Sequence, residues 1–380
     1  MPKCTDGTVE FGRVGRRVVE AAFDGGDIVS DGGVLLLRRV DERLGLTRAA
    51  ALALGDERRA ASVQHDLRSL LAQRIFGLCL DWTDVCDHNA LRNDLVMQTA
   101  VGRAEPLGSA PTRSRLETAA KPAHAAALHE VLMQQFIASH DKAPKELVLD
   151  VDATHVPLRR AWPKTKIIVR ADSGFCRPRV LQRLERWRVN CIIGLQKNSR
   201  LNEQVALAEL ALAEQYAAKQ TKQRMFGEFQ YAAGTWDKAR RVIARLEHGE
   251  QGANPRFIVT DLPGSPKALY ERRYCARGEA ENRIKEAQLD LFGRRASCHR
   301  FQSNQLRLLL AALAYTLMIN LRRLGLQGTE LAQACTATLR TKLLKIGAAV
   351  LRNTRRVRVL LASAHPMKHV FLAAARALGP

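Results

Sequence analysis

The residues of this chain with the right types and spacing for chemistry are carboxylates at strand ends. In "LDVDATHVPLRRAWPKTKIIVRADSGF", residues 149–175, one apolar run ends in Asp150 and Asp152 and a second ends in Asp172. Carboxylate oxygens suit hard divalent cations such as Mg²⁺. Two such ions can activate a water or hydroxyl and relieve charge on the leaving oxygen of a phosphodiester. That chemistry needs two or three acids to converge, so a third is expected on a later helix. "YCARGEAENRIKEAQLDLF", residues 274–292, is the candidate. If it is helical, Tyr274, Arg277, Glu281, Lys285 and Gln288 step by three or four and share one face. Such a face is not core. It reads either as a metal ligand (Glu281) flanked by phosphate contacts (Arg277, Lys285), or as an exposed, salt-bridged helix.

The elements that must position these acids follow from periodicity. "ELVLDVDA" alternates as a strand, with Val148, Asp150 and Asp152 on one face and Leu147, Leu149 and Val151 on the other. "KIIVRADSG" repeats the scheme, with Asp172 on the face of Ile168 and Arg170. A helix over residues 177–187 leads to a third strand in "NCIIGLQKN", and this alternation is an α/β (α+β) signature. Residues 201–219 read as helix, and "RRVIARL" and "RFIVT" as strands bounded by Gly and Pro. From residue 267 to the end the pattern predicts helix.

Upstream, residues 17–28 are strand-like. Ser30 or Asp31 is expected to cap a helix that Gly45 stops. Helical spacing dominates residues 62–102 and 123–139. "SAPTRSRLE", residues 109–117, opens a helix with Arg113 and Arg115 near its start. It suits DNA recognition and equally an ordinary surface helix.

Composition narrows the partner. Sixty Lys and Arg against 38 Asp and Glu leave +22, with a pI near 10.2. That potential favours a polyanion, nucleic acid first, over a basic protein with no such partner. Nine Lys or Arg and no acid follow Glu330, which suits phosphates. None of the eight cysteines forms a C-x-x-C pair, so they read as free thiols in a reducing cytosol. The start lacks a signal-peptide core, and the apolar run 308–319 is too short to span a bilayer, which predicts a cytoplasmic chain with no membrane partner.

"LDVDAT", "RADSGFC", "GLQKNSRL" and "YCARGEAENRIKEAQLDLF", in this order, resemble the DDE transposases of bacterial insertion sequences, and within them the insertion sequence 1380 group of the insertion sequence 4 superfamily. "FDGGDIVSDGGVLLLRRVDERLGL", "SAPTRSRLE" and "TLRTKLLKIGAAVLRNTRRVRVLLASAHP" extend the likeness over nearly the whole chain.

The resemblance implies an RNase H-like catalytic core. Its triad would fall on Asp152, Asp172 and Glu281 with two Mg²⁺ or Mn²⁺ ions, Asp150 being the weaker alternative to Asp152. Its Tyr–Arg–Glu–Lys signature would fall on Tyr274, Arg277 and Glu281, with Gln288 at the Lys position and Lys285 one turn earlier. Lys197, Arg200 and Arg277 would contact phosphates, and Tyr274 would also contact DNA. The partners implied are double-stranded DNA, as terminal inverted repeats and as target, and a second copy in a homodimer on DNA. A nucleoid-associated location follows.

The implied layout is a helical N-terminal DNA-binding region (1–140), the first part of the core (145–200), a β-rich insertion with a leading helix (201–265), the catalytic-helix part (266–325) and a basic helical C-terminal region (326–380). Relatives carry several dozen more residues between the first two Asp, where this chain has only twelve, residues 154–165. We therefore read an internal deletion: a truncated core, a crossover with little or no helix, one exposed sheet edge, and impaired or absent activity. A DNA-binding remnant, a simple metal nuclease and, more weakly, an acid hydrolase with paired carboxylates are the other readings.

Overall fold

The computed structural model describes residues 8–150, 155–293 and 297–379. They form two compact units, one of Phe136–Ile284 and one of Met1–Gln135 with Lys285–Pro380.

The Phe136–Ile284 unit is organised by one mixed sheet. Its strands run in the order Glu146–Asp150, Lys166–Ala171, Asn190–Leu195, Arg256–Thr260, Arg240–Gly249 and Gln223–Tyr231, with the short Gly252–Ala253 strand on Arg240–Gly249. The first three are parallel, and the remaining pairings are antiparallel. The run Ile167, Ile168, Val169 is buried throughout, as expected of a parallel strand covered on both faces. Ile168, Ile192, Ile243 and Ile258 form one apolar seam across the sheet with Leu262, Leu269 and Tyr270. The strands predicted at "RRVIARL" and "RFIVT" are present. They continue the same sheet past Asn190–Leu195.

Twelve residues suffice to lay the two Asp-bearing strands side by side. Asp150 pairs with Arg170 and Leu147 with Ile167 in parallel register. The crossover holds more than the little or no helix expected of it, because residues His155–Ala161 form a helix. Leu158 and Trp162, four residues apart, are both buried, and Trp162 N–H donates to Leu158 O at 2.7 Å. That spacing puts two large apolar groups on one helical face, and their burial outweighs the cost of a short helix. The Glu146–Asp150 strand forms one edge of the sheet and is half-buried along its length.

The other unit is helical around Phe301–Gly325, with Leu310, Leu313, Leu317 and Leu321 fully buried. Helices Val34–Leu44, Leu67–Cys79 and Lys368–Leu378 pack on it. Phe301–Gly325 is long and apolar enough to cross a membrane, but here its apolar residues fill the core. Gly45 ends Val34–Leu44 in the left-handed region (φ 63°), as predicted. The predicted Ser30 or Asp31 cap is not made; the N-cap is Gly33, where a Cβ would stand 2.2 Å from Leu343 O, so only glycine fits. The tail is not all helix. Ala348–Arg352 and Val357–Leu361 form a hairpin that pairs with Ile28–Val29. Its turn is closed by Asn353 Oδ1, which accepts the N–H groups of Arg355 and Arg356 at 3.0 and 2.9 Å.

Candidate active site

Asp172 leaves the end of the Lys166–Ala171 strand and caps the turn Ser173–Phe175, its Oδ1 accepting the Gly174 N–H at 2.9 Å. Its Oδ2 accepts from Arg277 Nη2 at 3.4 Å. Arg277 is the first residue of the helix Arg277–Asp290, and its Nη1 also bonds Glu281 Oε1 one turn on. Two carboxylates separated by 109 positions therefore meet on one guanidinium. Both acid side chains are 47% exposed against 22% for the arginine, so solvent and ligands reach the carboxylates.

The predicted five-residue face is not one helix. Tyr274 closes a π-helical turn, Leu269–Tyr274, in which Cys275 N–H reaches Tyr270 O at 2.9 Å, and the α-helix starts only at Arg277. Turns of this kind re-aim side chains and are frequent at functional sites. Here the turn seats the Tyr274 hydroxyl over Gly194, where a Cβ would stand 2.5 Å from that hydroxyl and 2.9 Å from Ser173 N. Burial raises the pKa of Tyr274; Arg277 opposes that shift and Asp172 adds to it.

Asp150, the alternative first ligand, is already engaged. Both its oxygens accept from Arg170, at 2.5 and 2.6 Å, and Arg170 also donates to Arg273 O at 2.7 Å. Asp152 lies outside the described residues. Among the described residues, no group of three or more His, Cys, Asp or Glu side chains stands ready to hold a metal ion.

Beside Asp172 opens a groove of about 490 Å³ lined by Ser173, Arg177, Lys197, Arg256, Tyr270 and Tyr274, among others. Lys197 was expected here. Arg177 and Arg256 were not, although Arg177 follows "ADSGFC" closely and Arg256 opens the strand whose Phe257 pairs with Leu195. Arg200 is exposed near the start of the helix Ser199–Lys219.

In the helical unit, Lys285 and Gln288 are exposed. Between them Glu286 is buried, accepting from Thr336 N (2.6 Å), Thr336 Oγ1 (2.7 Å) and Tyr315 Oη (3.0 Å). Its carboxyl stays below the usual range because those bonds and Arg322 outweigh burial, the largest single effect. No local pattern marks this anchor, because its partners lie 29 and 50 positions away.

Arg113 is corrected. It is 1% exposed and donates inward to Leu70 O and Gln73 Oε1, with burial holding its pKa down to about 9. A guanidinium used this way is a structural strut and does not reach a DNA phosphate. Arg115 is exposed.

The profile of the family described as transposase DDE domain, group 1, matches residues 11–158 and 156–380. The chain belongs to this transposase family. No curated protein matches it. The match comes in two stretches that meet at residues 156–158, inside the short crossover. For a DDE transposase domain, DNA is the implied partner and divalent metal ions are generally used. The residues present fit such an ion: Asp172 and Glu281 are hard oxygen donors, half exposed, and already converge on one cationic group.

Proposed function

We propose that this chain derives from a transposase of the insertion sequence 1380 group, acting on terminal inverted repeats, with an RNase H-like core that has lost a segment between its first two catalytic acids. The layout set out from the sequence is kept, with the C-terminal region containing a hairpin. Asp152, Asp172 and Glu281 would hold Mg²⁺ or Mn²⁺, which when bound supplies an activated water and charge relief at the leaving oxygen. Arg277 orients Asp172 and Glu281 and exchanges one of those contacts for a DNA phosphate. Lys197, Arg177 and Arg256 bind the backbone along the groove, Arg200 extends that surface, and Tyr274 holds the Asp172 turn in place. Lys285, Arg115 and the basic tail add non-specific grip, on DNA as a homodimer in the bacterial cytoplasm.

The observation that carries this reading is the Arg277 bridge between Asp172 and Glu281. The deletion is supported by the two-part family match and by the half-buried edge strand, which fits the loss of covering strands. The deletion also favours the second reading, a DNA-binding remnant that no longer cuts.

The test is a gel shift with and without Mg²⁺, beside a nicking assay on duplexes carrying the element ends. Binding without nicking supports the impaired transposase. Metal-dependent nicking overturns the impairment, and absence of any DNA binding overturns the reading as a whole.

A further inference from the structure

The N-terminal segment before the helices carries a feature that the proposed function does not use. Val9–Val14 and Arg17–Ala21 form an isolated antiparallel ribbon in which every residue is exposed. Two-stranded hairpins are marginal by themselves, and among the described residues this one buries none of its own side chains. Its turn is specified locally: Val14 pairs with Arg17, and Gly15 takes φ 64° at the first central position, as two-residue hairpin turns require.

Charge is segregated along the ribbon. Arg13, Arg16 and Arg17 cluster at the turn, while Glu10 and Glu20 face each other toward the open end. Like charges placed opposite each other destabilise a hairpin, so this arrangement does not serve the ribbon's own folding. Among the described residues, no carboxylate forms an ion pair with the three arginines. A ribbon with a cationic tip and an anionic base presents itself tip-first to an anion. A two-stranded ribbon also fits the roughly 12 Å width of a duplex major groove.

We infer that residues 9–21 form a DNA-contacting arm that lays Arg13, Arg16 and Arg17 against the phosphates of a duplex groove. The arm rests on the DNA-binding reading above and adds a β-ribbon contact to the helices of the N-terminal region. The exposed Phe11 and Val14, 68% and 72% accessible, make a second copy of the chain the competing occupant. The tip charge, on a chain of +22, favours DNA.

The test measures full-chain binding to a random-sequence duplex by fluorescence anisotropy across a NaCl series. The wild type is compared with a variant carrying Arg13→Ala, Arg16→Ala and Arg17→Ala, its fold checked by thermal melting. A second variant, Phe11→Ser with Val14→Thr, is run in parallel, and all three are sedimented. The slope of log K against log salt is expected to become shallower by about two to three in the arginine variant, with sedimentation unchanged throughout. Wild-type binding with an unaltered slope in that variant overturns the arm and leaves the DNA reading standing. Self-association lost in the Phe11/Val14 variant, with DNA slopes equal, assigns the ribbon to a second copy and also overturns it. A wild type that binds no duplex removes the DNA reading, and the arm with it.

Discussion

Arg277, Asp150 and Arg113 each make a residue-scale claim that measurement can separate. Arg277 competes for the carboxylates that a divalent ion would use. Arg277→Ala is therefore expected to tighten Mn²⁺ binding by about two- to five-fold, the worth of an exposed ion pair, while weakening duplex binding. Calorimetric titration with Mn²⁺ checks the first part, and weaker Mn²⁺ binding would sink it. Both oxygens of Asp150 accept from Arg170. Asp150→Asn should lower stability by about 1–3 kcal/mol and leave Mn²⁺ affinity alone, as read by urea unfolding beside the same titration. Arg113→Ala should cost about 1–3 kcal/mol, because Leu70 O and Gln73 Oε1 lose their buried donor. Its DNA affinity should match wild type; a drop at unchanged stability would return Arg113 to the DNA surface.

The element scale is set by the contact of strand Asn190–Leu195 with the π-turn. Gly194 is required by close approach, since a Cβ there meets both the Tyr274 hydroxyl and the backbone of Ser173. Gly194→Ala should cost about 1–3 kcal/mol by overpacking and weaken Mn²⁺ binding by moving Asp172. Adding Tyr274→Phe removes the nearer clash, so the double variant should recover part of the loss. A double-mutant cycle from thermal melts tests this, and strictly additive costs would refute the contact. The helix His155–Ala161 belongs to this scale too. Chain length alone leaves little room for a helix there, but Leu158 and Trp162 decide it by burying one face.

At the scale of the molecule, acid stability turns on a buried histidine in the helical unit. His88 is enclosed with Gln73, Arg74 and Arg113 nearby; burial and those cations push its pKa from 6.5 down to about 2. The folded chain keeps His88 neutral, whereas the unfolded chain protonates it below 6.5. This contribution is therefore complete above pH 6.5 and is lost as the pH falls toward 2, at up to about 1.4 kcal/mol per pH unit. Urea midpoints at pH 7 and pH 5 should differ accordingly, and His88→Gln should flatten the difference. An equal acid limb in that variant would assign the effect elsewhere.

Sequence by itself determined the strands around Asp150 and Asp172, most helix spans and the basic balance. Each follows from local periodicity or a count, and a period of two or 3.6 is written in neighbouring residues. It also singled out Asp172, Arg277 and Glu281, whose types already suit phosphoryl chemistry. Only tertiary structure decided which partner each acid takes. Asp150 is held by an arginine on the next strand, Arg113 is turned inward by helices far along the chain, and Arg177 and Arg256 meet at a groove that no single segment contains. The hairpin in the basic tail was hidden for the same reason: its pairing with Ile28–Val29 joins residues some 320 positions apart. Such contacts depend on how separate elements pack, and no local pattern encodes that packing.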